Sequence, residues 1–450
     1  AGCCVLSPGM PAWSATAVAS SLMVMVYSTA PISGGHLNPA VTFTLGVVQG
    51  VPWRTVFKYW AVQTAGGVAA GCCCRALFSP RYAAVAPAAP FTWGYAVLAE
   101  VLYTCMLCFV VANCTASKRN NPKGDGNQFF ALANGFVVIA GGYAVGNVSG
   151  ACFNPALVVG LVSTGSSSRW VFAWVGAELF GALLAAIAYR ILRWEEYSLR
   201  EADLEDFTQK LRLRCASEFL GTFMLVLTVG LNVTIASPAV AFSAGACLTS
   251  MVYSLGDVSG GHFNPTVTLA VVMSGRDKCT PSDGAAYAVA QLLGGAAAGL
   301  LYASFHAVGP NSLVTYALGP GEGYGPAAAG VAEFFFAFVL AYVVLSCATV
   351  SVPGASPTKQ NFYFALAIGS SIAAGGFAVG AISGGELNPA VSLGIATANL
   401  KHHGSTPPPH FLSCVTFSMW ELAGGLLASV AFRLTHPDEY KKAALPLPHK

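Results

Sequence analysis

The stretch that decides the fold is Ser33-Gly-Gly-His-Leu-Asn-Pro-Ala-Val-Thr42, in which an Asn-Pro pair follows a Ser-Gly stretch, an arrangement that occurs four times in the chain. The other three copies are Asn154-Pro155, Asn264-Pro265 and Asn388-Pro389. Proline suits the first turn of a helix, where its missing N–H would have no partner. Asparagine suits the position that caps that turn. Each pair therefore predicts the start of a short helix.

These pairs belong to a longer internal repeat. Ser33–Thr42 recurs as Ser259–Thr268, and Gly141–Ala156 recurs as Gly375–Ala390. The repeated elements occur in the same order in both halves of the chain, which predicts that the chain consists of two modules that arose by duplication and have one orientation. Within each module the Asn-Pro element appears twice, as a weaker nested repeat.

The composition indicates a membrane protein. Of the 450 residues, 55% are hydrophobic and only 9% are charged, whereas soluble domains carry about a quarter charged residues. A net charge of +3 does not point to nucleic acid. The 14 cysteines follow no disulfide or zinc spacing, so we interpret them as reduced apolar side chains. The sequence indicates no metal site, no cofactor and no catalytic residues.

Eleven apolar segments are long enough to cross a bilayer as helices. They are Ala12–Ser28, Thr55–Leu77, Tyr95–Ser117, Phe129–Val145, Trp170–Leu192, Cys215–Ser237, Val240–Leu255, Asp283–His306, Ala327–Val350, Phe362–Val379 and Leu412–Leu434. The sequence thus predicts an integral, multi-pass membrane protein, without indicating which membrane.

The predicted organisation is module 1 at residues 1–192, a charged linker at 193–214, module 2 at 215–436 and a polar tail at 437–450. We expect the linker to be a water-exposed connection, partly helical. Module 2 opens with Glu218-Phe-Leu-Gly-Thr-Phe223, which has no match ahead of Ala12. We therefore expect module 1 to lack its opening helix in this sequence.

Short helices that begin inside a bilayer have a specific consequence. Irregular backbone at that depth is tolerated only where protein buries it or a cavity wets it. Two such helices entering from opposite faces would direct their positive dipole ends and their Asn amides at one point. A water molecule there must turn its oxygen toward these donors, which interrupts a proton-conducting chain and repels cations.

The chain resembles the major intrinsic protein family, the aquaporins and glycerol facilitators, along nearly its whole length. The resemblance implies an all-α fold of two tandem modules, each with six transmembrane helices and two re-entrant half-helices. It implies that Glu100, Glu218 and Glu333 hold pore-loop backbone groups, and that His36 and His262 pack and hydrogen-bond there rather than gate. The implied pore motifs comprise Asn38, Pro39, Ala40, Asn154, Pro155, Ala156, Asn264, Pro265, Thr266, Asn388, Pro389 and Ala390.

The resemblance also places a selectivity filter. Family members usually carry an Arg after the second Asn-Pro-Ala, and here those positions are Leu157 and Val391. The remaining filter positions are Val18, Gly142 and Ala151 in module 1 and Ala244, Gly376 and Gly385 in module 2. All are small or apolar. We therefore expect a filter wide enough for glycerol, urea or ammonia as well as water.

The predicted function is a passive channel with one pore per module. The alternatives are a structural subunit of a membrane complex with little or no flux and, less favoured, a secondary transporter, which would need acidic ion-binding residues. Glu386 is the one such acid evident, and it could face the vestibule or bind loop N–H groups; we favour the latter. The expected partners are lipid, small neutral solutes, and either a second fused chain, giving a ring of four modules, or a larger membrane complex.

Overall fold

The computed structural model describes residues 11–79, 84–122, 126–204, 207–308, 318–350, 361–401 and 411–441. These residues form helices and no strands. Most of the predicted tail, residues 442–450, lies outside the described ranges.

Module 1 contains five long helices and two short ones. They are α1 (Pro11–Ser33), α2 (Pro39–Gln49), α3 (Trp53–Phe78), α4 (Trp93–Val111), α5 (Phe130–Ser149), α6 (Pro155–Ser163) and α7 (Val171–Leu192). A single π-helical turn, Ala112–Ala116, prolongs α4. The short helices α2 and α6 begin at the first and second Asn-Pro pairs.

Two helical turns, α8 (Glu195–Ser198) and α9 (Glu201–Leu204), connect the modules. Module 2 contains six long and two short helices. They are α10 (Leu211–Thr234), α11 (Val240–Ser259), α12 (Pro265–Met273), α13 (Pro281–His306), α14 (Pro326–Ala348), α15 (Phe364–Ser383), α16 (Pro389–Ala398) and α17 (Phe411–Thr435). The 3₁₀ turns Asn399–Lys401 and Pro437–Tyr440 follow α16 and α17. Helix α10 has no counterpart among the described residues of module 1.

All eleven predicted apolar segments are helices, and ten are long and apolar enough to cross a membrane. The eleventh, α11, is less apolar because it carries serines that bond to the other module. Ser243 Oγ donates to the Ala140 carbonyl at 2.9 Å, and Ser250 Oγ donates to the Ala133 carbonyl at 3.1 Å. Helix α11 therefore lies against α5, where protein rather than lipid satisfies its hydroxyls.

The two modules share a tight interface formed by α4 and α5 on one side and α10 and α11 on the other. The Tyr103 hydroxyl lies 3.0 Å from Thr228 Oγ1 across it. The rings of Phe129 and Tyr253 stack with their centroids 4.2 Å apart. The predicted fold, an all-α membrane protein of two tandem modules, is thereby confirmed.

The linker is not the simple solvated connection that its charges predict. Arg193 is fully buried, and its guanidinium donates to both carboxylate oxygens of Asp257, each at 2.7 Å. Glu196 is also buried and accepts from Ser117 Oγ at 2.6 Å. The expectation is wrong for this part because these charges are paired with each other and with module 2. They clamp the end of α7 to α11.

Glycine sets the spacing between long and short helices. A Cβ on Gly295 would lie 2.2 Å from the Ala390 carbonyl oxygen, and one on Gly67 would lie 2.2 Å from that of Ala156. Both contacts are too short for any side chain, so glycine permits α13 and α3 to touch the half-helices α16 and α6. The same spacing in both modules follows from the duplication.

The neighbouring glycines Gly66 and Gly294 offer a matched test of packing. A Cβ on Gly294 would lie 2.6 Å from the Phe219 carbonyl oxygen of α10, whereas one on Gly66 meets nothing within 4 Å among the described residues. We expect Gly294→Leu to lower the melting temperature of the detergent-solubilised protein sharply, because overpacking costs about 1–3 kcal/mol or more. Gly66→Leu should leave it nearly unchanged. Equal losses for the two variants would contradict this packing.

Candidate functional site

Each half-helix is capped by the asparagine of its Asn-Pro pair. The asparagine backbone is extended, with φ between −158° and −153°. Its Oδ1 accepts from the backbone N–H two residues on, which satisfies one of the free donors of the first turn. These N···O distances are 2.9 Å to Ala40, 3.0 Å to Ala156, 2.8 Å to Thr266 and 2.9 Å to Ala390.

The two half-helices of each module meet end to end. In module 1, Asn38 Nδ2 donates to the Phe153 carbonyl at 2.8 Å, and Asn154 Nδ2 donates to the Leu37 carbonyl at 3.1 Å. In module 2 the same crossed bonds join Asn264 to Leu387 at 2.8 Å and Asn388 to Phe263 at 2.9 Å. The positive ends of two helix dipoles therefore face a common point in each module.

The crossed bonds require an unusual backbone. The residue before each asparagine has a left-handed backbone conformation, with φ of 51° at Leu37, 51° at Phe153, 48° at Phe263 and 54° at Leu387. Bulky side chains rarely adopt this conformation. It turns each carbonyl toward the opposing asparagine, so strain is placed where the two half-helices are joined.

Three buried glutamates brace these loops. Glu100 accepts from Ser149 Oγ at 2.6 Å and from the N–H groups of Cys152 and Phe153 at 3.1 and 2.9 Å. Glu333 accepts from Ser383 Oγ at 2.5 Å and from the Leu387 N–H at 2.8 Å.

Glu218 makes the most bonds of the three. It accepts from Ser259 Oγ at 2.6 Å, from the His262 and Phe263 N–H groups at 3.0 and 2.6 Å, and from Gln291 Nε2 at 2.8 Å. Multiple donors compensate for burying a carboxylate.

The two histidines of the loops have matching partners. His36 Nδ1 lies 3.2 Å from Thr42 Oγ1, and His262 Nδ1 lies 3.1 Å from Thr268 Oγ1. Each threonine hydroxyl also bonds the carbonyl of its capping asparagine. The histidines thus connect the loop to the first turn of its half-helix.

Two further glutamates contact the pore loops, and the sequence did not lead us to predict them as site residues. Glu178 of α7 accepts from the Asn154 N–H at 2.8 Å, and Glu421 of α17 accepts from the Asn388 N–H at 3.1 Å. Both are fully buried. The available signal was an acid within an apolar helix, which is costly in a membrane unless it has a partner.

A cavity of about 90 Å³ lies in module 1. Both asparagines, Asn38 and Asn154, line it, as does His36. Three of the predicted filter residues, Val18, Ala151 and Leu157, also line it. Gly142 is not among its described lining residues; a Cβ at that position would lie 2.7 Å from the Ala15 Cβ.

Module 2 has a larger cavity of about 230 Å³. All four predicted filter residues of this module line it: Ala244, Gly376, Gly385 and Val391. The rest of the described lining is apolar except for Glu386, the only ionisable residue in it. The backbone N–H of Glu386 donates to Glu333 Oε1 at 3.3 Å, so the loop itself is braced from behind.

Several plant proteins resemble this chain. Aquaporin NIP1-3 of Oryza sativa subsp. japonica is 35% identical over 184 residues, which is 40% of this chain and 62% of that protein. Probable aquaporin NIP4-2 of Arabidopsis thaliana is 29% identical over 181 residues, again 40% and 62%. Aquaporin PIP2-5 of Oryza sativa subsp. japonica is 34% identical over 188 residues, 40% and 66%. The chain thus spans under two thirds of the length of these relatives.

The family comparison covers far more of the chain. The sequence profile of the family described as Major intrinsic protein matches residues 7–189, 95–235 and 206–430. That family is made up of channels, not enzymes. With its repeated half-helices and ten candidate membrane spans, this integral, multi-pass membrane chain belongs to the major intrinsic protein family.

Proposed function

We propose that the protein is a passive channel for water and small neutral solutes, with one pore in each module. The observation that carries this proposal is the crossed pair of Asn-Pro half-helices, present in both modules with amide-to-carbonyl distances of 2.8–3.1 Å. Donors held at mid-depth orient a passing hydroxyl or water oxygen. The same positive field repels protons and other cations, so we propose that the half-helices alone keep the pores tight to protons.

The side chains at the predicted filter positions favour the passage of solutes larger than water. Leu157 and Val391 line the two cavities at the positions where the family usually has Arg. An apolar side chain there removes both a donor and a positive charge, and the neighbours Ala151 and Gly385 leave space. Pore width and lining polarity set selectivity, so we propose that glycerol, urea or ammonia pass together with water.

Solute flux tests this proposal. The protein is reconstituted into vesicles, and swelling is followed by stopped-flow light scattering with water, glycerol and urea. The proposed channel gives fast, non-saturating flux and no proton current. Flux that saturates and depends on an ion gradient would indicate a secondary transporter instead, and no flux at all would indicate a structural subunit.

Restoring the missing arginines should narrow both pores. We expect the double variant Leu157→Arg/Val391→Arg to reduce glycerol flux about tenfold or more. The bulky, charged side chain raises the barrier to glycerol passage, and about 1.4 kcal/mol of added barrier lowers a rate tenfold. Water flux should fall much less. The conservative double variant Leu157→Met/Val391→Leu is the control and should keep both fluxes. An equal fall of both fluxes in the Arg variant would contradict a wide filter.

We also propose that two chains assemble into a ring of four modules. In the most apolar stretch of α4 and of α5, 72% of the residues are buried, because α10 and α11 cover them, whereas the share is 39% in α14 and α15 of module 2. Val331 and Phe335 are exposed on that uncovered face. Contact of α14 and α15 with α1 of a second chain, the module 1 equivalent of α11, would close a ring. Native mass measurement should show a dimer that Phe335→Lys converts to monomer; a wild-type monomer in the bilayer would contradict it.

A further inference from the structure

Each module contains a pair of buried glutamates whose closeness the channel function does not explain. Glu100 and Glu178 hold the consecutive N–H groups of Phe153 and Asn154. Consecutive backbone nitrogens lie less than about 4 Å apart. The two carboxyl groups are therefore near neighbours, and all four oxygens are shielded from water because both side chains are 0% exposed.

The second module repeats the pair. Glu333 and Glu421 accept from the consecutive N–H groups of Leu387 and Asn388 at 2.8 and 3.1 Å. Glu421 also accepts from Ser392 Oγ at 3.2 Å. Both glutamates are 0% exposed.

The members of each pair differ in how well they are bonded. Both oxygens of Glu100 and of Glu333 accept hydrogen bonds. Glu178 Oε2 and Glu421 Oε2 are buried and have no partner among the described residues. A carboxylate oxygen that is buried without a donor is costly, whereas a protonated one can itself donate.

Neither pair has a cationic side chain as a partner among the described residues. Among the described residues, no Lys, Arg or His forms an ion pair or a hydrogen bond with the four glutamates. The titratable side chains near the pairs are the thiol of Cys108 on α4, beside Glu178, and the thiol of Cys414, on α17 with Glu421 itself. Cys152 and Glu386 lie on the loops that Glu100 and Glu333 hold. Two adjacent carboxylates in a medium of low dielectric constant do not both ionise.

The nested repeat indicates which member of each pair stands in the place of a hydrogen-bond donor. Gln63, Glu178, Gln291 and Glu421 occupy one equivalent position, since Gly-Gly or Gly-Ala follows each of them three residues on. In the first half of module 2, Gln291 Nε2 donates to Glu218 Oε2 at 2.8 Å. A glutamate in the place of that glutamine reproduces the donor only when it is protonated.

We propose that Glu178 and Glu421 are proton-binding, positioning residues: each shares one proton with its partner, Glu100 or Glu333, and so holds the second pore loop of its module. The neutral acid acts as Gln291 acts in the first loop. If the proton leaves, two negative charges repel each other directly behind the capping asparagine. The folded state therefore binds this proton more tightly than the unfolded state, and stability should fall as the pH rises.

Infrared spectroscopy of the full chain in lipid tests this directly, through the C=O stretch of protonated carboxyl groups. At neutral pH the wild type should show this absorption, and Glu178→Gln/Glu421→Gln should lose the part that two acids contribute. The control Asp438→Asn, which removes an exposed carboxyl (85% side-chain exposure), should not change it. A wild type without the absorption, or a Gln double variant that keeps all of it, would overturn the proposal.

A second readout separates proton binding from simple packing. The Gln double variant should keep its melting temperature as the pH is raised, whereas the wild type should lose stability. Glu178→Leu/Glu421→Leu, which cannot donate, should be less stable at every pH. If the Gln double variant loses stability with pH as steeply as the wild type, the shared proton is refuted. If it does not fold, the wild-type infrared spectrum decides alone.

Discussion

Replacing Arg193 by Ala is expected to destabilise the protein more than any other single change at the interface between the modules. Arg193 is fully buried and bonds Asp257 twice at 2.7 Å, the Ser254 carbonyl at 3.0 Å and Asn113 Oδ1 at 2.5 Å. Its removal leaves the Asp257 carboxylate without its principal partner. Breaking a buried ion pair in this way costs about 3–5 kcal/mol.

Thermal unfolding of the purified protein, followed by circular dichroism, measures this loss. The matched control is Arg200→Ala, because Arg200 pairs with Asp203 at the surface, where both side chains are exposed, and exposed pairs contribute about 0–1 kcal/mol. We expect a large fall in melting temperature for the first variant and almost none for the second. Similar melting temperatures for both would show that the linker is the solvated connection that its composition predicts.

The second large effect is expected from Glu218→Ala. This change removes four hydrogen bonds at once and leaves the buried backbone N–H groups of His262 and Phe263 without partners, whereas Gln291 keeps only its bond to Thr268 Oγ1. Each unsatisfied buried donor costs about 1–3 kcal/mol. We expect the first pore loop of module 2 to lose its shape, and water flux to fall to the part of the flux that module 1 carries.

The control for this variant is Glu218→Gln. Its carboxamide oxygen still accepts hydrogen bonds, although its amide nitrogen cannot, so part of the network remains. Flux and stability of the Gln variant should lie between those of the wild type and those of the Ala variant, as measured by stopped-flow scattering and thermal unfolding. Wild-type flux in the Ala variant would contradict the bracing role of Glu218.

Much of the fold is readable because it depends on local rules. The Asn-Pro pairs specify a cap and a first turn, and all four half-helices start there. The ends of some helices were harder to predict from the sequence. Helix α5 runs to Ser149 instead of Val145 and ends at Gly150, which has a left-handed φ of 91°. The apolar run ends at Val145 because Gly146 and Asn147 follow it, yet the helix continues through the buried Val148 and Ser149.

The features that sequence reasoning missed depend on contacts between distant segments. The charges of 193–214 indicate solvent, yet Arg193 is buried because Asp257, 64 residues away, neutralises it. Glu178 and Glu421 are separated from their carboxyl partners by a whole half-module. The close contact between Gly142 and Ala15, and the different cavity volumes of the two modules, likewise follow from three-dimensional packing. Two signals in the sequence could have pointed to these acids: each is an acid within an apolar helix, and each shares its position with Gln63 and Gln291.

Blocking one pore at a time tests the central claim, a separate passage between opposed half-helices in each module. Leu157 and Val391 line the two cavities, so a tryptophan at either position should close one pore only. We measure osmotic water flux into vesicles at equal protein content. Leu157→Trp and Val391→Trp should each remove part of the flux, the two losses should add, and the double variant should match empty vesicles. Wild-type flux in the double variant would contradict the claim.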